Sequence, residues 1–192
     1  MSERNALSLD LFCRLDRLGL TAIDMDVQPD HSVVVCRPTT PAGKCPDCGG
    51  PGRCHDRVVR KIAHVPYGWK PTILKILVPR YRCFDCHRVW RHDVSAAAPS
   101  RSKLSRDAIT FAVKLIVIDR CSVAVAARQI GVQWNTANTA ILRAGQEMLI
   151  AQADRLDGVS TIGVDEHCVR HEARMIRMEV RDLHRLAVVA AG

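Results

Sequence analysis

Two Cys-x-x-Cys pairs constrain this chain more than anything else in it: Cys45 and Cys48, then Cys83 and Cys86, with 34 residues between the pairs. Two residues between sulfurs let one tight turn aim both thiolates at a single point. Two such turns supply four sulfurs, the full tetrahedral shell of a structural zinc site. Pro46 and Gly49-Gly50 shape the first turn, and Arg80, Arg82, Arg88 and Arg91 surround the second. The pattern predicts a β-rich zinc ribbon over residues 38–94, with strands at 57–65 and 72–82 linked through Pro66, Gly68 and Pro71. A small ribbon buries little apolar surface, so its metal is expected to supply much of its folding free energy, about 10–16 kcal/mol in isolated finger peptides.

Four thiolates leave no open coordination position, so the ion is structural rather than catalytic. A zinc deaminase would need a His-x-Glu or Cys-x-Glu upstream of Pro-Cys-x-x-Cys, and the chain has neither. Cys54, His55 and His87 lie nearby as competing ligands, but four sulfurs already fill the shell. Cys13, Cys36 and Cys121 sit among apolar neighbours and read as small core residues. Nine cysteines without a secretory leader favour metal over disulfides, hence a reducing, cytoplasmic setting. No apolar run is long enough to span a bilayer, so no membrane partner is expected.

Charge is the next constraint. The net charge is +8, and residues 37–92 alone carry twelve basic and three acidic side chains. Residues 101–150 add seven basic against three acidic, whereas residues 1–36 are acidic. A polyanion facing the ribbon and the segment after it is the natural partner.

Residues 1–37 read as a helix (Leu9, Leu11, Phe12, Leu15 and Leu18 on one face, stopped at Gly19) followed by short strands at 23–27 and 32–37. Residues 95–103 have the composition of a linker. Residues 104–150 fit a helix-turn-helix frame with helices at 104–119, 122–129 and 133–149. Ala127 allows close helix contact, Gly131 makes the turn, and Ala126, Ile130, Val132, Ala137 and Ala140 point inward. The outward face of the last helix offers Gln133, Trp134, Asn135, Asn138, Thr139 and Arg143, side chains suited to base edges and phosphates. Asp165 and Glu166 end a strand-like stretch from Ser160 to Val164.

This order of parts resembles the ISL-three family of bacterial insertion-sequence transposases. The carrying residues are Cys45-Pro46-Asp47-Cys48, Arg80-Tyr81-Arg82-Cys83-Phe84-Asp85-Cys86, the unit from Ser122 to Leu142, and Ile162-Gly163-Val164-Asp165-Glu166-His167, across about residues 5–171. The resemblance implies a DDE enzyme whose RNase H-like domain holds magnesium with three carboxylates, Asp165 matching the first. It also implies that ribbon and helix-turn-helix recognise terminal inverted repeats in double-stranded DNA, with a second copy of the chain as a further partner.

Only 27 residues follow Asp165, too few for an RNase H-like sheet and its helices. Glu166, Glu172, Glu179 and Asp182 are too close in sequence to replace the later carboxylates. Residues 158–192 are therefore expected to be the remnant of a catalytic domain, cut by a frameshift or stop after about His171. Magnesium is expected only for the intact family enzyme. Ile176, Val180, Leu183 and Ala187 are spaced like a helix face in this tail. The expected fold is α+β and multi-module: zinc ribbon, all-α helix-turn-helix, and catalytic remnant. The competing readings are a zinc-containing helix-turn-helix transcription regulator, including a repressor of its own element, and a zinc module that binds protein or RNA.

Overall fold

The computed structural model describes residues 9–151, 157–158, 163–167 and 175–179. The chain divides into two units, Met1–Leu142 and Arg143–Gly192.

The first unit is built on a mixed five-stranded sheet. Strand β1 (Leu20–Val27) and β2 (Ser32–Pro38) form a hairpin, and β3 (Gly52–Tyr67) and β4 (Lys70–Cys83) form a longer one. The sheet order is β1-β2-β4-β3, with β2 and β4 parallel over Ser32–Cys36 and Thr72–Ile76. With β3 along one edge of β4, β2 shares the other edge with the short β5 (Val89–Arg91), which pairs with Arg80–Arg82. A helical turn at 9–12 and a 3-10 turn at Asp16–Leu18 precede β1, and Gly19 ends the latter in the left-handed region.

Both faces of the sheet are covered. Successive side chains on a strand point to opposite faces, and Ile62 and Ala63 of β3 accordingly enter different cores. Ile62 joins Leu15, Leu20, Val34, Cys36, Leu74 and Ile76 beneath the N-terminal segment. Ala63 joins Leu104, Ala108, Ala126, Ile130 and Ala137 beneath three helices. These are α1 (Arg106–Val117), α2 (Val123–Ile130) and α3 (Trp134–Gly145). Ser105 and Ser122 cap α1 and α2, their hydroxyls accepting from the backbone N–H of Ala108 and Val125.

The ribbon strands and the segment after them are both tied into the larger fold. The ribbon is not a free-standing module. Strand β4 runs from Cys83 back through Val78, Ile76 and Leu74, all within the main core. Residues 95–103 are packed rather than loose. Ala97 and Ala98 are fully buried, Arg60 donates to the carbonyls of Pro99 and Ser102, and Ala63 exchanges backbone bonds with Lys103 and Ser105. Small side chains that look like linker composition are here what close packing beside β3 requires.

A buried polar node ties the segments together. His64 is fully buried; its Nε2 lies 3.1 Å from the Cys13 carbonyl and its Nδ1 2.7 Å from the Ser105 hydroxyl. A carbonyl only accepts, so Nε2 carries the proton and the Ser105 hydroxyl donates to Nδ1. Burial holds this imidazole below its ordinary pKa of 6.5, against the smaller raising effects of the Cys13 carbonyl and Asp107. Cys13 and Cys36 are buried core thiols, pushed up to about 11 and about 12, first by burial and then by Asp10.

In the second unit, Gln146–Ile150 forms a π-helical turn, and β6 (Gly163–His167) pairs antiparallel with β7 (Met175–Glu179). The helix expected through Ile176 is thus a strand over residues 175–179: a ladder to a neighbouring strand satisfies the backbone there and outweighs the four-residue spacing. Val180, Leu183 and Ala187 lie outside the described residues, as do Glu172, Asp182 and Ser160–Ile162.

Candidate metal centre and nucleic-acid interface

The two cysteine turns are built alike. In the first, Gly49 follows Cys48 at φ +71°, and the Cys45 N–H bonds to the Gly50 carbonyl at 2.9 Å. In the second, His87 follows Cys86 at φ +60°, and the Cys83 N–H bonds to the Arg88 carbonyl at 2.9 Å. Each knuckle needs a left-handed residue just past its second cysteine to turn the chain back. Glycine meets this freely, and histidine belongs to the few other types enriched there.

These turns bring the four sulfurs within 4.8 Å of one another. Cys45 and Cys86 are 3.5 Å apart, Cys48 and Cys83 3.4 Å. A zinc ion with bonds of about 2.3 Å sets tetrahedral sulfurs about 3.8 Å apart, so the quartet fits the ion with a small expansion. All four are free thiols rather than disulfides. Backbone N–H groups of Cys86 and, less strongly, Asp85 bring the Cys83 thiol down to about 7 despite burial, which favours the thiolate a metal needs. The residues hold structural Zn2+: four sulfurs, no vacant ligand position, two strand ends locked together. Cys54, His55 and His87 stand outside the quartet, and Cys54 is exposed.

The metal end is braced on both sides. Asp47 and Arg88 bridge the knuckles at 3.6 Å. Arg80 makes a two-pronged ion pair with Asp56 across β3 and β4, which holds the Asp56 carboxyl below its usual range. Behind them Tyr81 packs on Trp90 and His92, and His92 bonds to the Tyr81 and Thr40 hydroxyls at 3.2 and 2.9 Å.

Basic residues gather along this hairpin, several of them directly across the ladder from one another. Arg53 stands opposite Arg82, Lys61 opposite Lys75, and Arg80 opposite Arg91. Like charges directly across a ladder repel, and Arg53, Arg57, Arg82 and Arg91 are exposed to whatever could neutralise them.

Helix α3 turns Ala137 and Ile141 into the helical core, so Asn135, Thr139, Leu142 and Arg143 form its exposed stripe. Gln133 is exposed, Trp134 is half exposed, and Asn138 is partly covered. Thr139 spends its hydroxyl proton on the Asn135 carbonyl at 2.8 Å, and Arg143 is paired with Glu147 at 2.9 Å. Of the expected inward positions, Ala126, Ile130 and Ala137 are fully buried, Val132 and Ala140 partly. Gly131 lies between α2 and α3 at φ +76°, and its backbone N–H closes α2. Asp165 falls in β6, with Arg177 of β7 opposite it in register.

Sequence reasoning missed the β3–β4 tip. The pair Gly68-Trp69 between two strands was its available signal, because two-residue loops with left-handed residues are the commonest hairpin turns.

Residues 41–86 match the model of the zinc finger of transposase IS204/IS1001/IS1096/IS1165. The match spans both cysteine pairs and the hairpin between them. No curated protein and no solved structure gives a significant match. No helix among the described residues is long and apolar enough to cross a membrane.

Proposed function

We propose that this chain is the DNA-recognition portion of an insertion-sequence transposase of the ISL-three type, reading the terminal inverted repeats of its element. The match of residues 41–86 to the transposase zinc finger carries the reading. The facing basic pair Arg53 and Arg82 beside the cysteine quartet, with exposed Arg57 and Arg91, supports it, since phosphates would neutralise them. So does the helical unit. In this reading α2, the Gly131 turn and α3 act as a helix-turn-helix, with α3 in the major groove.

Zinc would fix the ribbon end, so that its arginines meet the backbone at a set distance from α3. Asn135 and Gln133 would read adenine edges, with Trp134, Asn138 and Thr139 beside them. Arg143 would exchange Glu147 for a phosphate or a guanine. In the DDE scheme Asp165 would be the first carboxylate of a magnesium site.

The test is selection of duplexes by the zinc-loaded protein, compared with the inverted repeats flanking the gene. Asn135→Ala should relax preference at one position, at a cost of about 1–3 kcal/mol there. Selection of unrelated sequences, or of none, would refute the assignment.

A further inference from the structure

The β3–β4 turn carries the most exposed large hydrophobic side chain among the described residues. Trp69 is 101% exposed, and it is one of only three tryptophans in the sequence. Its backbone is also strained. Gly68 and Trp69 have φ of +61° and +65°, the pattern of a type I′ turn, whose second central position favours Gly, Asn or Asp. A bulky residue there opposes its own backbone preference. An exposed ring held at a strained position points to use rather than packing.

The turn is clamped, so the ring is presented rather than left to wander. Lys70 Nζ donates to the Gln28 carbonyl at 3.0 Å, and the Tyr67 N–H donates to Thr72 Oγ1 at 3.1 Å. On the other face Pro71 presses on Gly131, so closely that a Cβ at Gly131 would come within 2.6 Å of the proline Cβ. Two residues of chain, at most about 7 Å, separate Trp69 from Pro71. The ring is therefore tethered beside the turn that starts α3.

We propose that Trp69 is a second nucleic-acid contact, stacking on a base step of duplex DNA next to the segment engaged by α3. This rests on the DNA-binding reading above and names a further element of that interface. Duplex DNA is favoured as the occupant by the position beside α3 and by the single flat ring. Phe12, also exposed, packs on Tyr67 at the base of the turn.

The experiment uses the zinc-loaded full chain, a duplex that the wild-type protein selects from a random pool, and the same duplex with 2-aminopurine beside the site. Trp69→Asn suits the turn better and should raise stability, yet weaken binding about tenfold, the equivalent of about 1.4 kcal/mol. Its salt slope should match wild type, and the aminopurine signal of unstacking should vanish. Trp69→Phe should retain most of the affinity. Equal binding by wild type and Trp69→Asn would overturn the contact while leaving the DNA reading intact. Loss of self-association in Trp69→Asn, with unchanged duplex affinity, would assign the tip to a protein interface instead. Failure of the wild type to select any duplex would overturn both.

Discussion

Gly131→Ala tests whether the helical unit is keyed to the hairpin. Two separate costs follow from the geometry. The φ of +76° places an alanine in the left-handed region, at about 1–2 kcal/mol. The new Cβ would stand 2.6 Å from Pro71 Cβ and 3.2 Å from Pro71 Cγ, an overlap that costs about 1–3 kcal/mol when a packed site must shift. A loss of unfolded-state entropy offsets about 0.4–1 kcal/mol. The net is destabilisation of about 1–5 kcal/mol, read from urea unfolding followed by circular dichroism. The Pro71→Gly background separates the terms. Without the proline ring, Gly131→Ala should cost only its backbone part, leaving a coupling of about 1–3 kcal/mol between the sites. Equal penalties in the two backgrounds, or a penalty below about 0.5 kcal/mol in the wild type, would refute the keyed contact.

Zinc chelation should unfold the metal end and spare the sheet. Ile62, Leu74, Ile76 and Val78 are buried to 3% exposure or less, roughly 6–12 kcal/mol of gross burial that does not depend on the ion. Hydrogen exchange should therefore show residues 41–54 and 80–91 losing protection while 62 and 72–78 keep theirs; loss of both together would contradict this. Acid should destabilise the protein through His64. Its folded pKa lies below 6.5, so the unfolded chain takes up the proton first and stability falls as pH drops below 6.5, by up to about 1.4 kcal/mol per pH unit. Urea unfolding at matched zinc occupancy should show a steeper pH dependence for wild type than for His64→Asn, and parallel curves would refute it. At the second knuckle, His87→Val should cost about 1–2 kcal/mol in thermal unfolding, because a β-branched residue resists φ of +60°, whereas His87→Asn should be neutral.

The parts that could be read from sequence are those in which local spacing fixes geometry. Cys45, Cys48, Cys83 and Cys86 converge because each pair needs only one turn to do so. The three helices fall close to the expected spans because Ser105, Ser122 and Gly131 punctuate them. Long-range choices were not legible. Nothing local in Ser32–Cys36 announces a parallel partner in Thr72–Ile76. The ribbon hairpin reaches into the main core because β2 and the N-terminal segment meet it there. Ala97 and Ala98 looked like linker residues since their burial depends on neighbours far along the chain. Ile176 sat in a helical spacing that β6 overrides. Trp69 was marked only by its place after Gly68 between two strands; the strain and exposure of its ring belong to the folded turn.

The most direct measurement is the salt dependence of duplex binding by the protein loaded with one zinc per chain. A basic ribbon and a helical reader gripping the backbone together predict that log K falls steeply and linearly with log salt, with a slope of about −5 for five or six neutralised phosphates, and that chelation abolishes much of the affinity. A flat salt response, or binding that ignores both duplex and zinc, would contradict the account.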